Sequence, residues 1–183
     1  MSLVITGNPG VGKHTVGKKI AHILDLELLD LNKLSIESGV YEQKKETRDV
    51  DVIALKEIIK EQLIKKTIVV GHLAPYVLTK TQVKIAIILR KSPYKLYSVY
   101  KKRSYSERKI KENLESEILG VIAYDTIKKL GETKTVQIDT TEKSIQTIVA
   151  KIKSVIIGKK NNDIVDWLGL VIQNNDLQKF FSY

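Results

Sequence analysis

Short runs of consecutive apolar residues alternate along this chain with longer stretches in which apolar positions recur every three or four residues. Leu3-Val4-Ile5-Thr6, Glu27-Leu28-Leu29, Thr67-Ile68-Val69-Val70, Lys84 to Leu89 and Thr135 to Ile138 are such runs, and each predicts a strand. Val16, Ile20, Ile23 and Leu24 share one helical face, as do Val52, Leu55, Ile59 and Leu63. Ser92-Pro93 predicts a helix start, a capping hydroxyl before a proline, for a helix carrying Leu96, Val99 and Tyr100 to about Lys102. Ser104 to Glu107 has capping-box spacing and predicts one long helix through Ile110, Leu114 and Ile118 towards Leu130, stopped by Gly131. Ile145, Ile148, Val149, Ile152, Val155 and Ile156 mark a further helix. Asn32 to Gly39 predicts a short helix closed by glycine, and Val40 to Asp51 a polar loop. Five apolar strands separated by helices predict an α/β domain, a parallel sheet covered on both faces.

Beyond a polar break at 158–162, Ile164, Trp167, Leu168 and Val171 predict one face of a small terminal helix. That face is expected to dock on the domain, the alternative being a partner-binding tail; Phe180-Phe181 would serve either.

Between the first strand and the first helix lies Gly7-Asn8-Pro9-Gly10-Val11-Gly12-Lys13, whose spacing is that of the phosphate-binding P-loop. Glycines let successive N–H groups turn into one concavity. The helix beginning near Lys13 adds the positive end of its dipole, and Lys13 a full charge. A glycine-rich turn can match so short a pattern by chance, but this one has a strand before it and a helix after it. The residue after the lysine would ordinarily be Ser or Thr, to hold Mg²⁺; here it is His14, with Thr15 one place later.

Composition narrows the class. A chain of 183 residues predicts one domain, and 43% apolar with 28% charged residues is an ordinary globular balance. With no cysteine, disulfides and thiolate metal sites are excluded. The first strand begins at Leu3, which leaves no room for a signal peptide, and no apolar run approaches a membrane span. A cytoplasmic protein is expected. The formal charge of +10 reflects either a solvated lysine-rich surface or, in part, contact with an RNA-rich partner. The lysines are spread along the chain, which weakens the second reading.

Parallel sheets bind ligands at the carboxyl ends of their strands. His72 follows the third strand, where a Walker B carboxylate would be usual and Val70 stands instead; it is either a turn histidine or a group beside the phosphates. Arg90 ends the fourth strand. The segment from Lys102 to Ile110 carries Arg103, Arg108 and Lys109, guanidinium and ammonium groups suited to a closing device for phosphoryl transfer.

These residues resemble a known family. The loop from Gly7 to Lys13, the Gly71-His72 turn, and Arg103-Ser104-Tyr105-Ser106-Glu107-Arg108-Lys109-Ile110-Lys111-Glu112-Asn113 with Glu117-Ile118 are similar to adenylate kinase isoenzyme 6. That family comprises atypical adenylate kinases and ATPases that assist small ribosomal subunit maturation. The resemblance covers residues 1–157, and implies a P-loop fold of nucleoside monophosphate kinase type. It implies an NMP-binding region at about 30–50, a lid at about 102–112, and residues 158–183 as a C-terminal extension. By the same resemblance Gly7, Gly10, Val11, Gly12, Lys13, His14 and Thr15 form the ATP phosphate loop, with Arg103 as the lid arginine. Lys13, His72 and Arg103 would be catalytic; Asp30, Arg48, Arg90 and Lys109 would face the NMP. Adenylate kinases tolerate a non-hydroxyl residue after the lysine, so Thr15 and His72 are candidates for Mg²⁺ contact, largely through water.

The chain departs from the family at three places: His14 replaces its usual threonine, Val70 its aspartate, and Leu34-Ser35-Ile36 lacks its early arginine. The implied activity is transfer from ATP to AMP with accompanying ATPase turnover. The implied partners are small-subunit ribosomal protein uS11 and pre-ribosomal RNA. An ATP-gated assembly factor with little AMP kinase activity is the alternative, and a different small-substrate P-loop kinase, of shikimate or cytidylate type, a third.

Overall fold

A computed structural model describes residues 1–44, 48–63, 66–159 and 162–181. The elements, in order, are β1 (Ser2–Thr6), α1 (Lys13–Leu24), β2 (Glu27–Asp30), α2 (Leu31–Glu37), β3 (Tyr41–Gln43), β4 (Arg48–Val50) and α3 (Val52–Gln62). They continue with β5 (Thr67–Val70), α4 (Ala74–Val77), β6 (Val83–Arg90), α5 (Pro93–Lys102), α6 (Glu107–Ile118) and α7 (Val121–Leu130). The last are β7 (Thr135–Asp139), α8 (Ile145–Ile156), α9 (Trp167–Gln173) and α10 (Leu177–Phe181).

Five strands form one parallel sheet in the order β2-β5-β1-β6-β7. Successive side chains on a strand face opposite sides, so a strand covered on both faces must be apolar throughout. Ile5 and Val70 pack into one core with Ile20, Leu96, Leu114 and Ile152, while Val4 and Val69 pack into the other with Leu34, Leu55 and Leu130. Each such side chain contributes roughly 1.5–3 kcal/mol when fully buried. The expected α/β architecture and all five strands are present.

Four local expectations fail, each for a physical reason. The helix expected from Ser104 to Leu130 is two helices. Gly120 takes φ +66° and opens α7, while the Leu119 amide closes α6 onto the Glu115 and Glu117 carbonyls. Ser106, not Ser104, caps α6, accepting from the Lys109 amide at 3.3 Å. Ser104 is engaged elsewhere, since residues 103–105 finish α5 by donating to the carbonyls of Val99, Tyr100 and Lys101. The supposed loop 40–51 contains the hairpin β3–β4, which pairs Tyr41 with Val50, Glu42 with Asp49 and Gln43 with Arg48. Strands of only three residues are too short to leave a periodic signal; the hairpin tip at 45–47, within the expected loop, lies outside the described residues. Ser92 does stand at the N-cap of α5, yet its hydroxyl makes no capping bond, and its amide donates to Thr141 Oγ1 at 2.8 Å.

At the C-terminal end, α9 starts at Trp167, and Ile164, expected on its face, is 97% exposed. Val171 and Phe180 are buried in the core that contains α5 and α6. Tyr94 of α5 holds this segment, meeting Phe180 edge-on at 5.3 Å and donating its hydroxyl to Asp176 at 2.8 Å. The 160–161 part of the expected polar break lies outside the described residues. Among the described residues, no helix is long and apolar enough to cross a membrane.

Candidate active site

The loop between β1 and α1 sits at the carboxyl edge of the sheet, and its sequence dictates which way its peptides face. Gly7 passes so close to the Leu89 carbonyl of β6 that no Cβ would fit, and Gly12 caps α1 with φ +99°. The loop carbonyls turn towards the protein. Asn8 O accepts from Lys13 Nζ at 3.2 Å, Pro9 O from the Tyr100 hydroxyl at 2.7 Å, and Val11 O from Thr140 Oγ1 at 3.2 Å. The amides of Gly10, Gly12, Lys13, His14 and Thr15 donate to no protein acceptor among the described residues. With the first turn of α1 contributing its own unpaired amides, this is an anion cradle.

The cradle opens into a cavity of about 1060 Å³. Around its loop end stand Gly10, Gly12, Lys13, His14, Thr15, His72, Arg103, Tyr105 and Lys109. Its far end is formed by Asn32, Ser35 and Ile36 of α2, Gln43, Asp49 and Val50 of the hairpin, and Leu73. That volume exceeds the usual range for one drug-sized ligand, roughly 300–1,000 Å³.

Lys13 is only 4% exposed. Burial, and then the charge of Arg103, push its ammonium down to about 8 against the pull of Asp30 and Glu117. Arg103, at the end of α5, is exposed and has no ion pair among the described residues. His72 lies just past β5; burial, with Lys13 and His14 nearby, lowers its imidazole to about 4, so it is neutral at physiological pH. Val70 is fully buried, so β5 brings no carboxylate to the phosphates. Lys109 of α6 lies 4.4 Å from the Tyr105 ring centroid, and Tyr105 stacks on Tyr100 at 5.6 Å.

The remaining expected site residues fare differently. Asp30 does not line the cavity. It ends β2, accepting from His14 Nδ1 at 2.7 Å and from the Asn32 and Lys33 amides as the cap of α2. Arg48 lies in β4, and its side chain is outside the described residues. Arg90, expected at the NMP, is corrected by the structure: it is 4% exposed and fully engaged away from the cavity. Its Nε donates to Glu117 Oε1 at 2.8 Å, Nη1 to Gln137 at 2.8 Å, and Nη2 to the Glu117 carbonyl at 2.7 Å.

Glu117 is the residue whose role the sequence reading missed. Fully buried, it also accepts from the Lys91 amide, from Trp167 Nε1 at 3.0 Å, and from Asn8 Nδ2 at 2.7 Å. Ser116 Oγ adds a bond to Asn8 Oδ1 at 3.1 Å. This network clamps the second residue of the loop to α6 and to α9. Glu117 was noted with Ile118 in the family resemblance, but as an acid on the apolar stripe of α6 it shows no partner until Arg90 is placed opposite it.

Comparisons with known proteins agree with this geometry. A family described as AAA domain matches residues 3–120. A protein of Saccharolobus solfataricus named "Putative adenylate kinase" is 34% identical over 171 residues, 92% of this chain and 88% of its own. One of the same name from Pyrococcus furiosus is 32% identical over 170 residues, 91% of each chain. The chain belongs to this P-loop kinase family. Shikimate kinase from Acinetobacter baumannii superposes with a TM-score of 0.58 at 16% identity, over 87% of this chain and 94% of its own. A gluconokinase from Sinorhizobium meliloti gives 0.55 at 17% identity, over 97% and 96%. At those identities the two structures establish the kinase-type P-loop fold alone, and this family member shares it.

Proposed function

We propose that the protein is an adenylate kinase that transfers the terminal phosphoryl group of ATP to AMP, with slower hydrolysis of ATP when no acceptor is bound. The observation that carries this reading is the cradle of unpaired amides with buried Lys13, in a cavity of about 1060 Å³ that is lined also by α2 and the β3–β4 hairpin. ATP would lie with its β- and γ-phosphates on Gly10 to Thr15 and Lys13. An oxygen of the AMP phosphate attacks the γ-phosphorus, the bond to the β–γ bridging oxygen breaks, and two ADP leave. That phosphate is already ionised, so no general base is needed; rate comes from alignment and from cations at the transferred group. Lys13 and Arg103 supply those cations, and Lys109 lies on the same side.

His72, neutral and lining the cavity, can accept a hydrogen bond from a water and so orient it for hydrolysis. A divalent cation, when bound, would neutralise charge on the polyphosphate. The donors that line the loop end and fit such an ion are the Thr15 hydroxyl and the His14 and His72 imidazoles. ADP formation from ATP plus AMP, compared between the natural protein and Lys13→Ala, tests the reading. A rate lost in the variant supports it, and equal rates contradict it.

The charge of +10 suits a second role, nucleotide-gated contact with pre-ribosomal RNA, and the resemblance to the isoenzyme 6 family adds small-subunit protein uS11 as the protein such a role would hold. Stoichiometric co-purification of that protein, released by ATP, is its test; an isolated chain with full AMP-dependent turnover and no such partner contradicts it.

A further inference from the structure

We propose that His14 is a nitrogen ligand for a divalent transition-metal ion carried on the nucleotide polyphosphate, with Asp30 as the carboxylate that sets its tautomer. The inference rests on the phosphate site proposed above and concerns what stands where its loop pattern would put a metal-holding hydroxyl. His14 occupies the first turn of α1 and lines the cavity between Lys13 and Thr15. Its Nδ1 lies 2.7 Å from Asp30 Oδ2. The other oxygen, Asp30 Oδ1, is already taken by the amides of Asn32 and Lys33 at 3.0 and 3.3 Å. An ionised carboxylate can only accept, so the hydrogen on this contact belongs to Nδ1. In the tautomer with the hydrogen on Nδ1, the lone pair available to a metal is on Nε2. A carboxylate that orients an imidazole through one nitrogen and leaves the other to a metal is the usual outer-shell arrangement of histidine metal sites.

The rest of the cavity agrees. Its two carboxylates among the described lining residues, Asp49 and Glu112, pair with Lys44 and Arg108. No group of three or more His, Asp and Glu able to hold a metal exists among the described residues, so His14 stands as one ligand and not as part of a protein-only site. Phosphate oxygens must supply most of the ligands, which makes the metal–nucleotide complex the bound species. Replacing a hydroxyl by an imidazole moves the preference away from Mg²⁺, which favours oxygen, towards Mn²⁺, Co²⁺ and Zn²⁺.

The test is pulsed electron paramagnetic resonance of the full chain with Mn²⁺ and ADP. The expected result is a nitrogen coupling on Mn²⁺ that changes when the protein's histidines carry nitrogen-15, vanishes in His14→Thr and survives in His72→Ala. Asp30→Asn, which keeps a capping side chain for α2, should weaken the Mn²⁺ enhancement of ADP affinity roughly 10- to 100-fold. A coupling that survives His14→Thr, or no protein nitrogen on Mn²⁺ while Mn²⁺–ADP stays bound, overturns the assignment and leaves the phosphate site standing. ADP that fails to saturate the folded protein both in chelator and with Mn²⁺ overturns the phosphate site and this inference together.

Discussion

At the loop end of the cavity, every element is anchored in the sheet. β1 and β6 lie in register behind the loop, Tyr100 and Thr140 hold its carbonyls, and Asn8 is clamped by Glu117 and Ser116. At the far end, α2 spans only seven residues, and the β3–β4 hairpin forms a two-stranded sheet apart from the main one. The hairpin meets the rest of the domain through contacts that include the Asp51 amide on the Val40 carbonyl at 3.0 Å and the packing of Val40 and Val50 on the core. In the proposed transfer, the phosphate donor would lie at the sheet-anchored end and the acceptor towards α2 and the hairpin. One substrate must be aligned and the other admitted and enclosed.

The difference predicts a gradient of effects. The largest belongs to Lys13. Lys13→Met should lower nucleotide affinity and turnover roughly a hundred- to thousandfold, read by calorimetry and coupled assay. It should at the same time stabilise the fold, because a buried ammonium lowered to about 8 costs about 3 kcal/mol in its charged form. The sign follows from proton counting. Between about pH 8 and pH 10.5 the unfolded lysine holds a proton that the folded one has released, so stability rises with pH through that window. Denaturant midpoints measured across it should climb in the natural protein and stay flat in Lys13→Met.

Next comes Glu117. Glu117→Ala leaves Arg90 buried without its partner and should cost about 3–5 kcal/mol, seen as a fall in melting temperature. Glu117→Gln keeps much of the shape and should cost less. If that milder variant still loosens ADP binding, the clamp on Asn8 acts on the loop and not only on stability.

Arg103→Ala should lower kcat roughly ten- to a hundredfold with KM for ATP little changed, since an exposed guanidinium at the end of α5 acts chiefly on charge that develops during transfer. The smallest effect is expected from Ser35→Ala, a few-fold rise in KM for the acceptor with ATP affinity unaltered. A change in ATP affinity there would dissolve the distinction between the two ends.

The same contrast governs what could be read from the chain. The loop end was legible because its chemistry is backbone chemistry, fixed by glycine spacing between a strand and a helix. The central strands β1 and β5 and most of β6 were legible because strands buried on both faces are apolar along their length, while the edge strands β2 and β7 showed only short apolar runs. The far end was not, since β3 and β4 are only three residues each, too short for an alternating pattern to show. Arg90 was misplaced for a related reason. A strand-end arginine looks like a ligand contact until a buried glutamate 27 residues later proves to take its donors. The break at Gly120 lay in plain sight, but an unbroken apolar stripe on either side concealed it.

The account stands on the claim that main-chain amides of Gly10 to Thr15, with Lys13, hold a polyphosphate. Calorimetric titration of the natural protein with AMP, ADP and ATP tests it most directly. The account predicts saturable one-to-one binding that tightens from AMP to ADP to ATP and collapses in Lys13→Met. A folded protein giving no saturable heat with ATP at millimolar concentration, or equal affinity for all three in both proteins, would contradict it.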